Sequence, residues 1–133
     1  MSRVFFDTSA AYALLVASDT NHEKASNTFR KLAERRAALT TTSYVLLETY
    51  ALIGRRVGLA AVKSFRENMQ PLLEVIWVNQ RLHEKGLDFL LERGMESLSL
   101  VDAVSFQAIR DRNIDEVFAF DRHFAQEGLD LAG

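Results

Sequence analysis

Short apolar runs alternate along the chain with longer stretches in which apolar residues recur every three or four positions, and this alternation predicts strands separated by helices. Residues 3–6 (RVFF) are rich in β-formers and read as a short buried strand. Residues 9–18 read as a helix, broken by Asp19, Thr20 and Asn21. Over 22–36 a second amphipathic helix sets Ala25, Phe29, Leu32 and Ala33 on one face. A brief strand follows at 38–41, and Thr42 or Ser43 caps a helix over 44–57 that Gly58 ends. A further helix over 59–69 stops at Pro71, which disfavours helix in the residue before it. LLEVIWV (72–78) reads as a strand by its Val, Ile and Trp content. Asn79 caps a helix through Arg93, and Gly94 ends it. The stretch 97–113 opens with Ser99 and turns helical. Residues 117–120 (VFAF) form another short apolar strand, halted by Asp121, and a last helical turn over 122–128 leads to a short strand at 129–131.

Strands of about four residues joined by helices, with no hairpin signals, pair in parallel through helical crossovers. The prediction is therefore α/β: an α/β/α sandwich with a short central parallel β-sheet, built as one domain over 1–133. In such sheets ligands collect at the carboxyl ends of the strands. Asp7 and Asp121 each directly follow an apolar strand, so both project from that edge.

Composition narrows the classes. With no cysteine, disulfides and thiolate metal sites are excluded. The opening stretch lacks the ordered basic, apolar and cleavage regions of a signal peptide, and no stretch approaches the roughly 18 apolar residues of a membrane span. The expectation is a cytoplasmic protein with no membrane contact. A net charge of −2 argues against a surface that grips phosphates throughout, although a metal-binding group of acids would itself lower the sum. The pairs Arg30-Lys31, Arg35-Arg36 and Arg55-Arg56 read as solvated helix faces. Arg55-Arg56, near a helix C-terminus, is accounted for by the helix dipole. Trp77 and the phenylalanines read mainly as core, and His22 and His83 as solvent-facing.

The acids carry the chemistry. Glu48 has Tyr44, Val45, Ala51 and Leu52 as its neighbours at three and four residues, which puts it on the buried stripe of its helix. A buried carboxylate needs a partner, either a buried arginine or a divalent cation. The others have local explanations as well. Asp7-Thr8-Ser9 is good turn and N-cap chemistry, Ser99 and Asp102 have capping-box spacing, and Asp121 can cap the helix behind it. Jointly the four suit a hard cation, which takes oxygen ligands and supports phosphoryl chemistry. An aspartyl-phosphate phosphatase would need an acid where Ser9 stands, and a receiver domain would need a late lysine, whereas none follows Lys85. No Gly-rich phosphate loop or G-x-S-x-G elbow occurs either. Hydrolysis of a phosphodiester by metal-activated water remains.

VFFDTSA, the acid within SYVLLETYAL, SLVDAVSFQAI and VFAFDRHF, in that order and spacing, resemble a PIN domain, and more narrowly the VapC-type toxins. The resemblance implies the PIN-like sandwich and a Mg²⁺- or Mn²⁺-dependent endoribonuclease acting on an RNA substrate. It implies that Asp7, Glu48, Asp102 and Asp121 form the acidic quartet, supported by Thr8 or Ser9, and that cleavage leaves a 5′-phosphate and a 3′-hydroxyl. A homodimer, silenced by a cognate antitoxin protein, is implied too. Arg122, beside Asp121, can contact a substrate phosphate or pair with a nearby acid. The chain departs from the pattern at Ala119, where members often carry a hydroxyl, and at His123, where some carry an acid or Asn. His123 reads as a partly exposed helix residue. The rival readings are a non-catalytic PIN module that binds RNA or a protein partner, kept alive by Ala119, and a small phosphatase or DNA nuclease.

Overall fold

The strand–helix alternation folds as parallel crossovers. The computed structural model describes residues 2–133. Five strands, β1 (Arg3–Phe6), β2 (Ala38–Thr42), β3 (Leu73–Ile76), β4 (Glu116–Phe118) and β5 (Asp130–Leu131), form one sheet in the order β3-β2-β1-β4-β5. Every neighbouring pair is parallel. The helices are α1 (Thr8–Leu15), α2 (His22–Glu34), α3 (Ser43–Arg56), α4 (Leu59–Asn68), α5 (Gln80–Arg93), α6 (Leu100–Asp111) and α7 (Arg122–Gln126).

The two-residue period of the strands divides the core between the two faces of the sheet. Val4, Phe6 and Phe118 face a cluster with Ala10, Ala11, Leu32, Ile53 and Phe65 from α1 to α4. Phe5 and Val117 face Phe106, Ile109 and Phe124 from α6 and α7. A third cluster seats Ile76 against Leu82, Val104 and Ala108 of α5 and α6. The result is the expected α/β/α sandwich. Register pairs Phe6 with Phe118 and Thr42 with Ile76, so the carboxyl ends of four strands lie along one edge. The Thr41 hydroxyl donates to the Phe6 carbonyl at 2.7 Å and the Asp7 amide to the Phe118 carbonyl at 3.1 Å, which fixes the exit of β1.

Several boundaries differ from the sequence reading. The first helix ends at Leu15, because Val16 is extended and the chain turns to bring the His22 ring Nδ1 within 2.8 Å of the Ala13 carbonyl. The third strand covers only Leu73–Ile76, with Gln70–Leu72 forming a 3₁₀ turn around Pro71. The fourth starts at Glu116 and leaves the ladder after Phe118. Thr42, not Ser43, caps α3, accepting from the Val45 amide at 3.1 Å, while the Ser43 hydroxyl accepts from Val78 at 2.8 Å. Trp77 is not core: it follows the end of an edge strand and is 70% exposed. The phenylalanines are buried or partly buried. His22 and His83 are not solvent-facing either. Both are partly buried, and His83 Nδ1 lies 2.6 Å from the Tyr44 hydroxyl. Among the described residues no helix is long and apolar enough to cross a membrane.

α5 and α6 meet through Gly86. A Cβ at that position would lie 2.4 Å from Val104 Cγ2 and 3.1 Å from the Val104 backbone. Gly86→Ala must therefore spread the two helices, and overpacking of this kind costs about 1–3 kcal/mol. Urea unfolding should show the midpoint lowered accordingly; an unchanged midpoint would mean that α5 is free to shift.

Candidate active site

Each acid is placed by a different element. Asp7 ends β1 and is the N-cap of α1, with Oδ2 accepting from the Ser9 amide at 3.1 Å and the Ser9 hydroxyl at 2.7 Å. That hydroxyl also accepts from the Phe120 amide at 2.8 Å, which ties the start of α1 to the segment leading into α7. Asp102 forms the expected capping box: its amide donates to Ser99 Oγ at 3.1 Å and its Oδ2 accepts from the Ser99 amide at 3.4 Å. Asp121 caps α7, with Oδ1 accepting from the His123 amide at 2.9 Å. Glu48 projects from the middle of α3 and is half-buried. Thr8 sits beneath it, its hydroxyl 3.3 Å from the Val45 carbonyl and 3.0 Å from the Thr49 hydroxyl, joining α1 to α3.

The capping and site roles thus coexist, because a carboxylate has two oxygens. Among the described residues, Asp7 Oδ1, Asp102 Oδ1 and Asp121 Oδ2 have no hydrogen-bond donor, and none of them is sealed from the cavity. All four acids line one cavity of about 420 Å³, together with Thr8, Ser9, Ser99 and Arg55.

Gathering the acids costs them their ordinary acidity. Burial pushes the Asp7 carboxyl up to about 7; its bonds from Ser9 oppose this, and the charges of Asp102 and Glu48 add to it. Burial also raises Glu48, as do the charges of Asp102 and Asp121. Asp102 is raised by burial and then by Asp121. A divalent cation among these oxygens removes the repulsion, and the donor set suits one: carboxylate oxygens with spare lone pairs, plus one imidazole nearby. Asp102, Asp121 and His123 each present a ligand atom within 4.8 Å of the others. His123 is the partly exposed helix residue the sequence suggests, with its ring turned towards the acids and Nδ1 2.8 Å from Asp121 Oδ1.

The structure brings Asp7, Thr8, Ser9, Glu48, Asp102 and Asp121 together and leaves Arg122 exposed, outside the lining of the cavity. Arg55 lines it instead. The helix-dipole explanation hid this residue, yet its spacing of seven from Glu48 puts both on one face of α3. A second cavity, beside Trp77 and Arg81, contains the carboxylate of Asp111, already held by Lys85 at 2.9 Å, and so lacks the ligand set.

A parallel α/β/α sandwich with acids converging at the carboxyl edge suits metal-assisted phosphoryl chemistry. The PIN domain family model matches residues 4–128, and the chain belongs to that family. It is 33% identical over 127 residues to the 23S rRNA-specific endonuclease VapC20 of Mycobacterium tuberculosis, covering 95% of each. The crystal structure of that protein, described as a sarcin–ricin loop cleaving toxin, superposes with a TM-score of 0.83 at 31% identity over 98% of this chain and 99% of the other. VapBC2 from Rickettsia felis, solved bound to a promoter DNA fragment, shares the fold with a TM-score of 0.72 at 13% identity, covering 97% and 96% of the two chains. FitAcB from Neisseria gonorrhoeae does so at 0.71 and 10%, covering 98% and 96%.

A raised carboxyl sets the sign of the pH dependence. Asp7 contributes stability that is present below its unfolded value, near 4, and lost as pH rises through about 7. In chelator the protein should melt at a higher temperature near pH 5.5 than near pH 8. Asp7→Asn should flatten that difference, and equal slopes for the two proteins would show that Asp7 does not titrate in this way.

Proposed function

We propose that this chain, acting as one domain over 1–133, is a divalent-metal-dependent endoribonuclease, the toxin of a toxin–antitoxin pair. The observation that carries this reading is the convergence of four acids from four elements, with spare oxygens opening into one cavity. Its end-to-end similarity to a ribosomal RNA endonuclease supports the substrate class.

Asp7, Asp102 and Asp121, whose caps each leave one carboxylate oxygen free, would hold the cation. Mg²⁺ or Mn²⁺, when bound, lowers the pKa of water and neutralises charge on the scissile phosphoryl group. Glu48, at the wall of the cavity and with its carboxyl raised, takes a proton from the attacking water. Water gives a proton to Glu48 and adds to phosphorus, the P–O3′ bond breaks, and the 3′ oxygen leaves as a hydroxyl after taking a proton from solvent water, with the 5′-phosphate on the other product. Ser9 keeps Asp7 in its rotamer, and Thr8 holds α1 against α3. Arg55 meets a substrate phosphate inside the cavity, while Arg122 meets RNA backbone outside it.

The missing hydroxyl at Ala119 does not favour the non-catalytic reading, since Ser9 already supplies a hydroxyl joining Asp7 to the same segment at Phe120. The 23S rRNA cut by the relative makes that RNA the first substrate to offer. A cognate antitoxin protein occupies the acidic cavity, the protein works in the cytoplasm, and two copies form a homodimer.

Wild type should cut 23S rRNA at discrete positions with Mg²⁺ or Mn²⁺ and not with chelator, and Asp7→Asn should abolish cutting. Glu48→Gln should lower kcat roughly 10²- to 10⁴-fold. Arg55→Ala should raise KM roughly tenfold or more with kcat little changed, as expected for loss of a charged contact. Cutting that survives Asp7→Asn would overturn the site; RNA binding without cutting would favour the non-catalytic module.

A further inference from the structure

Trp77 leaves 70% of its surface in water, although tryptophan is a highly buried side chain on average. It directly follows the end of β3 on the carboxyl edge of the sheet, the edge from which Asp7 and Asp121 also project. There it lines a cavity of about 350 Å³ with Arg81 and Lys85 of α5 and with Asp111 and Arg112 at the end of α6. That volume lies within the range of small-ligand sites.

The charge of this cavity is opposite to that of the acid site. Lys85 donates to both oxygens of Asp111, at 3.0 and 2.9 Å, and that pair cancels. Arg81 and Arg112 remain. Both are exposed, and among the described residues neither has a carboxylate within 4.0 Å. Helix chemistry accounts for Arg112, at the C-cap of α6, but not for Arg81, the second residue of α5, where a cation opposes the dipole. Two guanidiniums thus flank an exposed indole in a chain whose net charge is −2. An aromatic ring among cations is how proteins hold single-stranded nucleic acid, with a base on the ring and phosphates at the cations.

Helix α6 links the two cavities. Asp102 lies in its first turn and Asp111 ends it, so at roughly 1.5 Å per residue they stand about 14 Å apart along the axis. A nucleic-acid strand advances about 3.4 Å per nucleotide in a duplex and further when extended, so roughly four nucleotides or fewer cover that distance. We propose that Trp77, Arg81 and Arg112 form a second RNA contact, a few nucleotides from the scissile bond. A base of the substrate stacks on the indole, and the neighbouring phosphates meet the two guanidiniums. The inference rests on the endoribonuclease reading above and assigns the surface that holds the RNA to one side of the cut. The contact itself needs no metal.

Trp77 is the one tryptophan of the chain, so its emission reads this contact directly. The probe is an unlabelled single-stranded RNA of about ten nucleotides, titrated into the full wild-type chain in chelator and followed in parallel by calorimetry. Tryptophan emission should fall along the same binding curve as the heat. Trp77→Ala should weaken binding roughly tenfold, and Arg81→Ala and Arg112→Ala should each lower the slope of log Kd against log salt by about 0.7. RNA that binds with Trp77 emission unchanged would overturn the contact and leave the acid site standing, and no binding in chelator would overturn it as well. Quenching by RNA with no metal-dependent cutting would support the contact and count against the nuclease reading. A dimer that becomes a monomer in Trp77→Ala, seen by light scattering, would make the cavity an interface between copies of the chain and overturn the RNA contact. The wild-type titration decides even if a variant does not fold.

Discussion

The carboxylate of Asp7 is 4% exposed at the point where the central strand becomes a helix, and an ion in that position is held against its own desolvation. Much of the surrounding structure serves this one group. The Thr41 hydroxyl and the Phe118 carbonyl hold the two polar groups of the peptide that leads into it, and Ser9 meets its Oδ2 with both an amide and a hydroxyl. The same Ser9 hydroxyl reaches the Phe120 amide, so the segment that positions Asp121 is placed by the group that positions Asp7. Two acids of the site are thereby coupled through a single side chain.

The resulting site runs on a division of labour within each carboxylate. One oxygen of Asp7, Asp102 and Asp121 closes a helix N-terminus; the other opens into the cavity. Capping satisfies orphan amides and aims the free oxygen at the same time. Folding and the proposed chemistry therefore do not compete for these residues. What folding leaves unresolved is the burial of these carboxyls, which raises Asp7, Glu48 and Asp102, with the charges of neighbouring acids adding to it. A metal-free fold that is under electrostatic tension at neutral pH is one that a divalent cation stabilises on binding.

Much of this was legible in the residues. The apolar runs before Asp7 and Asp121, the inward-facing Glu48 and the Ser99–Asp102 box placed all four acids, because strand ends and helix caps are set by local chemistry. Features that depend on tertiary placement were not legible. Trp77 looks like core in LLEVIWV, and only the position of β3 at the sheet edge, together with its end at Ile76, exposes it. The first helix stops at Leu15 because the next helix folds back to seat His22 on its end, a contact between residues nine apart. Arg55 already had a sufficient local explanation in the helix dipole, and that concealed the face it shares with Glu48. The direction of the His123 ring depends on Ser97, which approaches it from another part of the chain, as well as on its near neighbour Asp121.

The claim on which everything else rests is that the acids gather around a cation. Crystals grown with Mn²⁺ test it through the anomalous scattering of the ion. An anomalous peak within about 2.5 Å of carboxylate oxygens of Asp7 and Asp121 is the expected result. A well-ordered acidic cavity at saturating Mn²⁺, with no peak in it or with peaks only elsewhere on the molecule, would contradict it.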